Sequence, residues 1–221
     1  EFQGGEPSLP FLLLQKAVER AVELNEKYKK QITYVLCTNS VNLTEEILCL
    51  CKEYNILIST SLDGPAFIHN HNRGKTDSYK RVIEGISKAR NYLGTDRVSA
   101  LMTTSELSLN YPKEIIDNYL SNGFNSIFLR PLNPYGLALN NTSWDLYFEN
   151  FVTFYKLALN YIIDINIRGD FFVEEFTAIL FRKMLTPFTT GFVDLQSPAG
   201  IINSVVVYNY DGYVYASDES R

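Results

Sequence analysis

Glu6 stands directly behind two glycines and ahead of a proline, in the run Phe2-Gln3-Gly4-Gly5-Glu6-Pro7. Glycine lets a backbone turn sharply and come close to a ligand, and proline ends the local hydrogen-bond ladder and sets the exit angle. A segment closed in this way offers bare carbonyls and one carboxylate to a cation. Further along, Ser61 and Asp63 are followed by Arg73, a hydroxyl and a guanidinium of the kind that binds a carboxylate. An amino-acid ligand would use both places, its ammonium on Glu6 and the Gly4 and Gly5 carbonyls, its carboxylate on Ser61 and Arg73. In the plainer reading Ser61 and Asp63 cap a turn and Arg73 is a solvated loop cation. The residues alone leave both open.

Other reactive side chains carry less. Cys37, Cys49 and Cys51 are odd in number and fit a reducing cytoplasm better than a disulfide scaffold. Cys49 and Cys51 are two apart on a predicted helix and point to different faces, so all three are expected to be plain buried thiols and no metal site is assigned. His69-Asn70-His71 lacks a third ligand nearby. Asn42-Leu43-Thr44 and Asn140-Asn141-Thr142 match the glycosylation sequon, by chance in a cytoplasmic chain.

The elements that must position these residues alternate between helix and strand length, which predicts a parallel sheet with crossover helices. Glu1-Phe2-Gln3 is the tail of a strand. Further strands are expected at Ile32–Cys37, Ile56–Ser59, Val98–Thr103 and Ser126–Leu129, and helices at Pro10–Lys29, Thr44–Tyr54, Ser78–Leu93 and from Pro112 to Gly123. Two aromatic helices, Trp144–Ile167 and Phe171–Leu185, come next. After a loop, Asp211-Gly212 marks a hairpin between Val205–Tyr210 and Tyr213–Ala216. The fold class is α/β: a partial (β/α)6 barrel, then helices and a short β-hairpin. The expected division is 1–140 for the barrel core, 141–200 for a helical extension and linker, and 201–221 for the hairpin module. In such barrels chemistry sits at the carboxyl ends of the strands. There this chain places Glu6, then Thr38 and Asn39, then Ser61 and Asp63, then Thr103 and Thr104, and finally Arg130.

The chain's 221 residues, 46% of them hydrophobic with 15 Tyr and 14 Phe, are enough for a substantial core. A net charge of −5 argues against a nucleic-acid partner. The longest apolar run, Phe151–Ile165, is broken by Lys156, Asn160 and Asp164 and reads as a buried helix rather than a membrane span.

Taken in order, Gly4-Gly5-Glu6-Pro7, Cys37-Thr38-Asn39, and Ser61-Leu62-Asp63-Gly64-Pro65 with Ile68-His69-Asn70 and Arg73 resemble the peptide-modifying branch of the radical S-adenosylmethionine (SAM) superfamily. Tyr111–Ile116, Phe128–Leu132, Leu195–Gly200 and Tyr208–Glu219 are similar to the radical SAM maturases of the His-Xaa-Ser system. The resemblance implies a radical SAM barrel in which Gly4, Gly5, Glu6 and Pro7 hold the SAM amine and Ser61 and Arg73 its carboxylate. Thr38, Asn39 and Asp63 would line the pocket, and Leu129 and Arg130 would lie near the adenosine. It also implies a four-iron–four-sulfur cluster, a precursor peptide as substrate, an electron donor and a partner maturase. The catalytic acid or base is not assigned.

The chain departs from that pattern twice. The Cys-x-x-x-Cys-x-x-Cys motif that binds the cluster normally precedes Gly-Gly-Glu-Pro and is absent. The chain, which opens at Glu1, is therefore expected to be a fragment that does not cleave SAM by itself. The C-terminal hairpin resembles the start of a SPASM-type module, yet Ser197 and Ser217 stand at its usual cysteine positions, which argues against an auxiliary cluster there. Two other readings compete: a degenerate, non-catalytic barrel that binds a precursor peptide, and an unrelated barrel acting on phosphorylated metabolites. The second lacks a Gly-rich phosphate loop opening a helix.

Overall fold

The computed structural model of the chain describes residues 1–133, 143–192 and 205–217. Three strands, β1 (Val35–Thr38), β2 (Leu57–Ser61) and β3 (Val98–Leu101), lie side by side in that order and run parallel. Phe2 extends the sheet beyond β1: its N–H donates to Val35 O at 2.8 Å and its carbonyl accepts from Cys37 N at 2.9 Å. On the other side Thr104, just past β3, pairs in parallel with Pro131, just past β4 (Ser126–Ile127). β4 in turn pairs in parallel with β5 (Val173–Glu174). The order is therefore Phe2, β1, β2, β3, β4, β5, all parallel, and among the described residues no pairing joins β5 back to Phe2.

Crossover helices cover one face of this sheet, as parallel pairing requires. In the first three strands the register rows Leu36, Ile58, Val98 and Thr38, Thr60, Ala100 are buried. Hydrophobic side chains of α2 (Glu45–Glu53), α4 (Ser78–Leu93) and α5 (Pro112–Ser121) join the same core, among them Ile47, Leu48, Val82, Ile86, Ile115 and Tyr119. Thr44 starts α2 as expected, its hydroxyl accepting from Ile47 N at 3.4 Å. The alternate rows, Cys37, Ser59, Ser99 and then Ser61, Leu101, point to the opposite face and are half-buried or exposed. That face is mostly small and polar.

Several expectations need correction. Arg73 is not on a loop but is the last residue of a helix, α3 (Ala66–Arg73), which starts after Pro65 and ends at Gly74 in the left-handed region. Its Asn- and His-rich second half carries no apolar periodicity, so its sequence does not signal a helix. The second aromatic helix does not begin at Phe171. Val173 and Glu174 extend as β5, and α7 spans Glu175–Leu185. The turn before β5 is closed by Asn166, whose side chain donates to Phe172 O at 2.7 Å. Cys49 is exposed and lies 3.0 Å from the Tyr92 hydroxyl, Cys37 is half-buried, and Cys51 alone is fully buried.

The chain divides into two compact units, Glu1–Glu174 and Glu175–Arg221. In the second, β6 (Val207–Tyr208) and β7 (Val214–Tyr215) form an antiparallel hairpin, shorter than expected. Asp211 closes its turn by accepting from Tyr213 N at 2.9 Å and the Tyr215 hydroxyl at 2.7 Å. Ser197, the Leu195–Gly200 segment and the second sequon lie outside the described residues.

Candidate functional site

The Gly4-Gly5-Glu6-Pro7 loop folds back so that Glu6 closes on the end of β1. Glu6 Oε1 accepts from the Thr38 hydroxyl at 2.6 Å, the Ser8 hydroxyl at 2.7 Å and Ser8 N at 3.2 Å, and Oε2 accepts from Asn39 N at 2.8 Å. Thr38 passes the constraint on, since its oxygen also accepts from Ser40 N at 3.1 Å. The Glu6 carboxylate is held in one orientation, with Oε2 bonded once and retaining acceptor capacity. Gly4 and Gly5 both have positive φ, and a Cβ on either would meet nothing within 4 Å. Their carbonyls accept no hydrogen bond among the described residues.

The next strand end lies beside this one, because Thr38 pairs with Thr60, the residue before Ser61. The Ser61 hydroxyl is half-buried and donates to no described residue. The turn that follows is anchored from below: the buried Tyr119 hydroxyl donates to Leu62 O at 2.6 Å, and a Cβ on Gly64 would lie 2.9 Å from Ile115 Cγ1. Asp63 is completely buried. It accepts from Arg73 Nε and Nη2 at 2.8 Å each and from Thr103 N at 2.9 Å. Arg73 is therefore no free loop cation, and Asp63 offers no surface to a ligand.

His69 also contacts this turn, its Nδ1 accepting from Asp63 N at 3.2 Å. Burial holds His69 below the ordinary imidazole range, outweighing the upward pull of the Asp63 carboxylate, and Arg73 adds to the lowering. The unfolded chain then takes up the proton first, so stability rises with pH through this window and is lost as pH falls below about 6.5. A His69→Asn variant is expected to show a flatter decline in stability between about pH 7 and pH 5 in denaturant titrations. An unchanged slope would assign the acid sensitivity to other groups.

The last strand ends carry a second set of contacts that sequence reasoning missed. Glu174, buried at the end of β5, accepts from Leu129 N at 3.0 Å and from the Tyr155 hydroxyl. The Tyr147 hydroxyl donates to Thr104 O at 2.6 Å and accepts from Leu132 N at 2.7 Å, stapling the ends of β3 and β4 together. Burial pushes that hydroxyl up to about 12. Leu129 is buried and Arg130 is exposed, so of this predicted pair Arg130 is the side chain open to solvent. The only signal for Glu174 was an acid at the end of a short apolar run, which a helix assignment concealed.

A family model for the radical SAM superfamily matches residues 2–118, more than half of the chain. The chain belongs to the radical SAM superfamily. An uncharacterized protein of Methanothermobacter thermautotrophicus is 31% identical to it over 164 residues, covering 74% of this chain and 59% of the relative. One from Methanocaldococcus jannaschii is 27% identical over 138 residues, covering 61% and 46%. Among solved structures, native anSMEcpe with bound AdoMet and the Cp18Cys peptide superposes with a TM-score of 0.70 at 20% identity, over 98% of this chain and 60% of that one. The same protein with bound AdoMet gives 0.62 at 21% identity, over 83% and 51%. At that identity the likeness is one of fold. This radical SAM chain spans about half to three-fifths of the length of the proteins it matches.

The described residues fit SAM and do not fit an iron–sulfur cluster. The radical SAM chain has a fixed carboxylate with open carbonyls at one strand end, a hydroxyl at the next, and a guanidinium from the end of α3 held on the turn that follows, groups of the kinds that the two charges of an amino-acid moiety require. Cluster binding needs thiolates. Burial pushes Cys37 up to about 12, with the Glu1 carboxylate adding to it, and Cys51 up to about 11. Among the described residues no three of His, Cys, Asp and Glu are grouped to hold a metal. Nor is any described helix long and apolar enough to cross a membrane.

Proposed function

We propose that this chain is the SAM-holding core of a radical SAM enzyme that modifies a ribosomally made peptide or protein. One observation carries the reading: the loop carboxylate of Glu6 is fixed on Thr38 and Asn39 at a strand end adjacent to the one bearing Ser61, and Arg73, at the end of α3, is held on the turn after Ser61 by Asp63. On this reading Glu6 and the Gly4 and Gly5 carbonyls take the SAM ammonium, Pro7 sets the loop's exit, and Ser61 and Arg73 take the carboxylate. Thr38 and Asn39 hold Glu6 in place, and the Leu129–Arg130 segment lies toward the adenosine. SAM bound there would supply hydrogen-atom abstraction: one electron, delivered from outside these residues, would break its C5′–S bond to give methionine and a 5′-deoxyadenosyl radical, which would become 5′-deoxyadenosine on taking a hydrogen atom from the substrate. The chain's own share is to hold and orient the cofactor and keep water from it.

The peptide assignment draws on the fold shared with anSMEcpe, whose structures contain bound peptides, and on the motif resemblance to the His-Xaa-Ser maturases. With it come a precursor peptide as substrate, an electron donor and a partner maturase. The cluster thiolates would come from outside these 221 residues, so the chain by itself would not cleave SAM. Ser217, just past β7, would give the SPASM-like hairpin no cluster ligand.

The complete protein, reconstituted anaerobically with iron and sulfide, is expected to form 5′-deoxyadenosine from SAM in a reductant-dependent manner. Binding of SAM without that product would favour a degenerate peptide-binding barrel. Failure to bind SAM at all would reject the site.

A further inference from the structure

Asp63 carries three hydrogen bonds on a carboxylate with no exposed surface, yet it sits in the middle of the site. A group so enclosed does not touch a ligand. What it touches is Arg73, and the geometry of that contact is specific. A guanidinium has two edges that can grip a planar anion, Nε with Nη2 and Nη1 with Nη2. Asp63 occupies the first edge completely, with both distances at 2.8 Å. The second edge makes no hydrogen bond to a described residue, and the side chain is 35% exposed.

Arg73 is also tied to the sheet through this carboxylate. Asp63 Oδ1 accepts from Thr103 N, and the Thr103 carbonyl accepts from Asn72 Nδ2 at 3.4 Å. Both backbone groups of Thr103, two residues past the end of β3, are thus held by the turn and by α3. The Asp63 main chain is pinned as well, its N–H donating to His69 Nδ1. The guanidinium plane is thus tied to the sheet through Asp63 and Thr103.

We propose that Asp63 is a positioning residue: by gripping the inner edge of Arg73 it presents the outer edge to the α-carboxylate of the bound amino-acid moiety, the group assigned above to Ser61 and Arg73. The proposal rests on the SAM-holding reading above and replaces the direct pocket contact expected for Asp63 from the sequence. Charge and placement pull in opposite directions here. An acid beside Arg73 cancels part of its field, so on charge alone, removing the acid would tighten the binding of an anion. On placement, removing it frees a long side chain that must then be ordered when the ligand binds.

The test is equilibrium binding of SAM and of methylthioadenosine, which keeps the nucleoside and the S-methyl group, on a neutral sulfur, but lacks the amino-acid moiety. Both are measured on the complete, anaerobically reconstituted protein. Asp63→Asn is expected to weaken SAM binding by about tenfold or more and to leave methylthioadenosine within about twofold. In an Arg73→Gln background the same substitution is expected to add little, since its effect passes through Arg73. Unchanged or tighter SAM binding overturns the proposal, as does an equal loss of both ligands. If Asp63→Asn does not fold, Arg73→Lys decides, because it keeps the charge but cannot share one rigid plane between two acceptors; retained SAM affinity overturns the proposal. A wild-type protein that binds methylthioadenosine but shows no preference for SAM overturns the site reading itself, and this proposal with it.

Discussion

Glu6→Ala is expected to weaken SAM binding by about a hundredfold, whereas Glu26→Ala leaves it within about twofold. A hydrogen bond to a charged partner contributes about 1.5–3 kcal/mol, or roughly ten- to 150-fold in affinity. The substitution also removes the acceptor for Ser8, Thr38 and Asn39, so the Gly4-Gly5 carbonyls lose the anchor that keeps them at the strand end. Both losses act on the same ligand group, which places the expected effect in the upper part of that range. Glu26 is exposed on α1 (Phe11–Tyr28) and has no part in the site. Thr38→Val separates the two contributions. It leaves the carboxylate but removes one of its donors, and a smaller loss of about tenfold is expected. Titration calorimetry on the reconstituted protein measures all three. Equal losses at Glu6 and Glu26 would sink the ammonium assignment.

Gly85→Ala is the second large expectation, and its sign is the opposite of what helix propensity gives. Gly85 sits inside α4, where alanine is ordinarily preferred by about 1 kcal/mol. In the folded protein a Cβ at this position would lie 1.9 Å from Ser40 O and 2.9 Å from Ser40 C. Both atoms are backbone, so no side-chain rotation relieves the clash, and α4 or the loop after β1 must move. Overpacking costs about 1–3 kcal/mol and occasionally more, and a rigid backbone obstacle belongs at the top of that range. Less the propensity gain, a net loss of about 2 kcal/mol would lower the melting temperature by roughly 4–8 °C for a chain of this size. The displacement would reach the site, because Ser40 N donates to Thr38 Oγ1 and Thr38 donates to Glu6. Weakened SAM binding is therefore expected alongside the lost stability. A variant as stable as wild type in denaturant unfolding would show that α4 does not pack against the loop as described.

Much of the frame was legible because it is written in local patterns. Helical spacing of apolar residues located α4, α5 and α6 (Trp144–Ile167), whose observed limits lie close to those expected. Strand-length runs ended by polar residues located β1 to β4 and placed Glu6, Thr38, Ser61 and Thr103 at carboxyl ends. β5 and α3 were missed because two residues make too short a run to show alternation, and a helix ending in Asn-His-Asn-Arg shows no apolar face.

By itself, the order of residues determined the kind of chemistry: a carboxylate behind two glycines and a hydroxyl, each arriving at the end of a parallel strand, and a guanidinium a few residues further on. These are properties of near neighbours, which backbone propensity and turn chemistry specify directly. Tertiary structure alone decided how the groups are used. That Asp63 faces Arg73 and Thr103 rather than a ligand, that Glu174 holds Leu129 from 45 positions away, and that Gly85 leaves room for the Ser40 carbonyl all follow from strand register and helix packing. Those contacts join residues far apart in the chain, and a partner set by register leaves no mark in the sequence around either end.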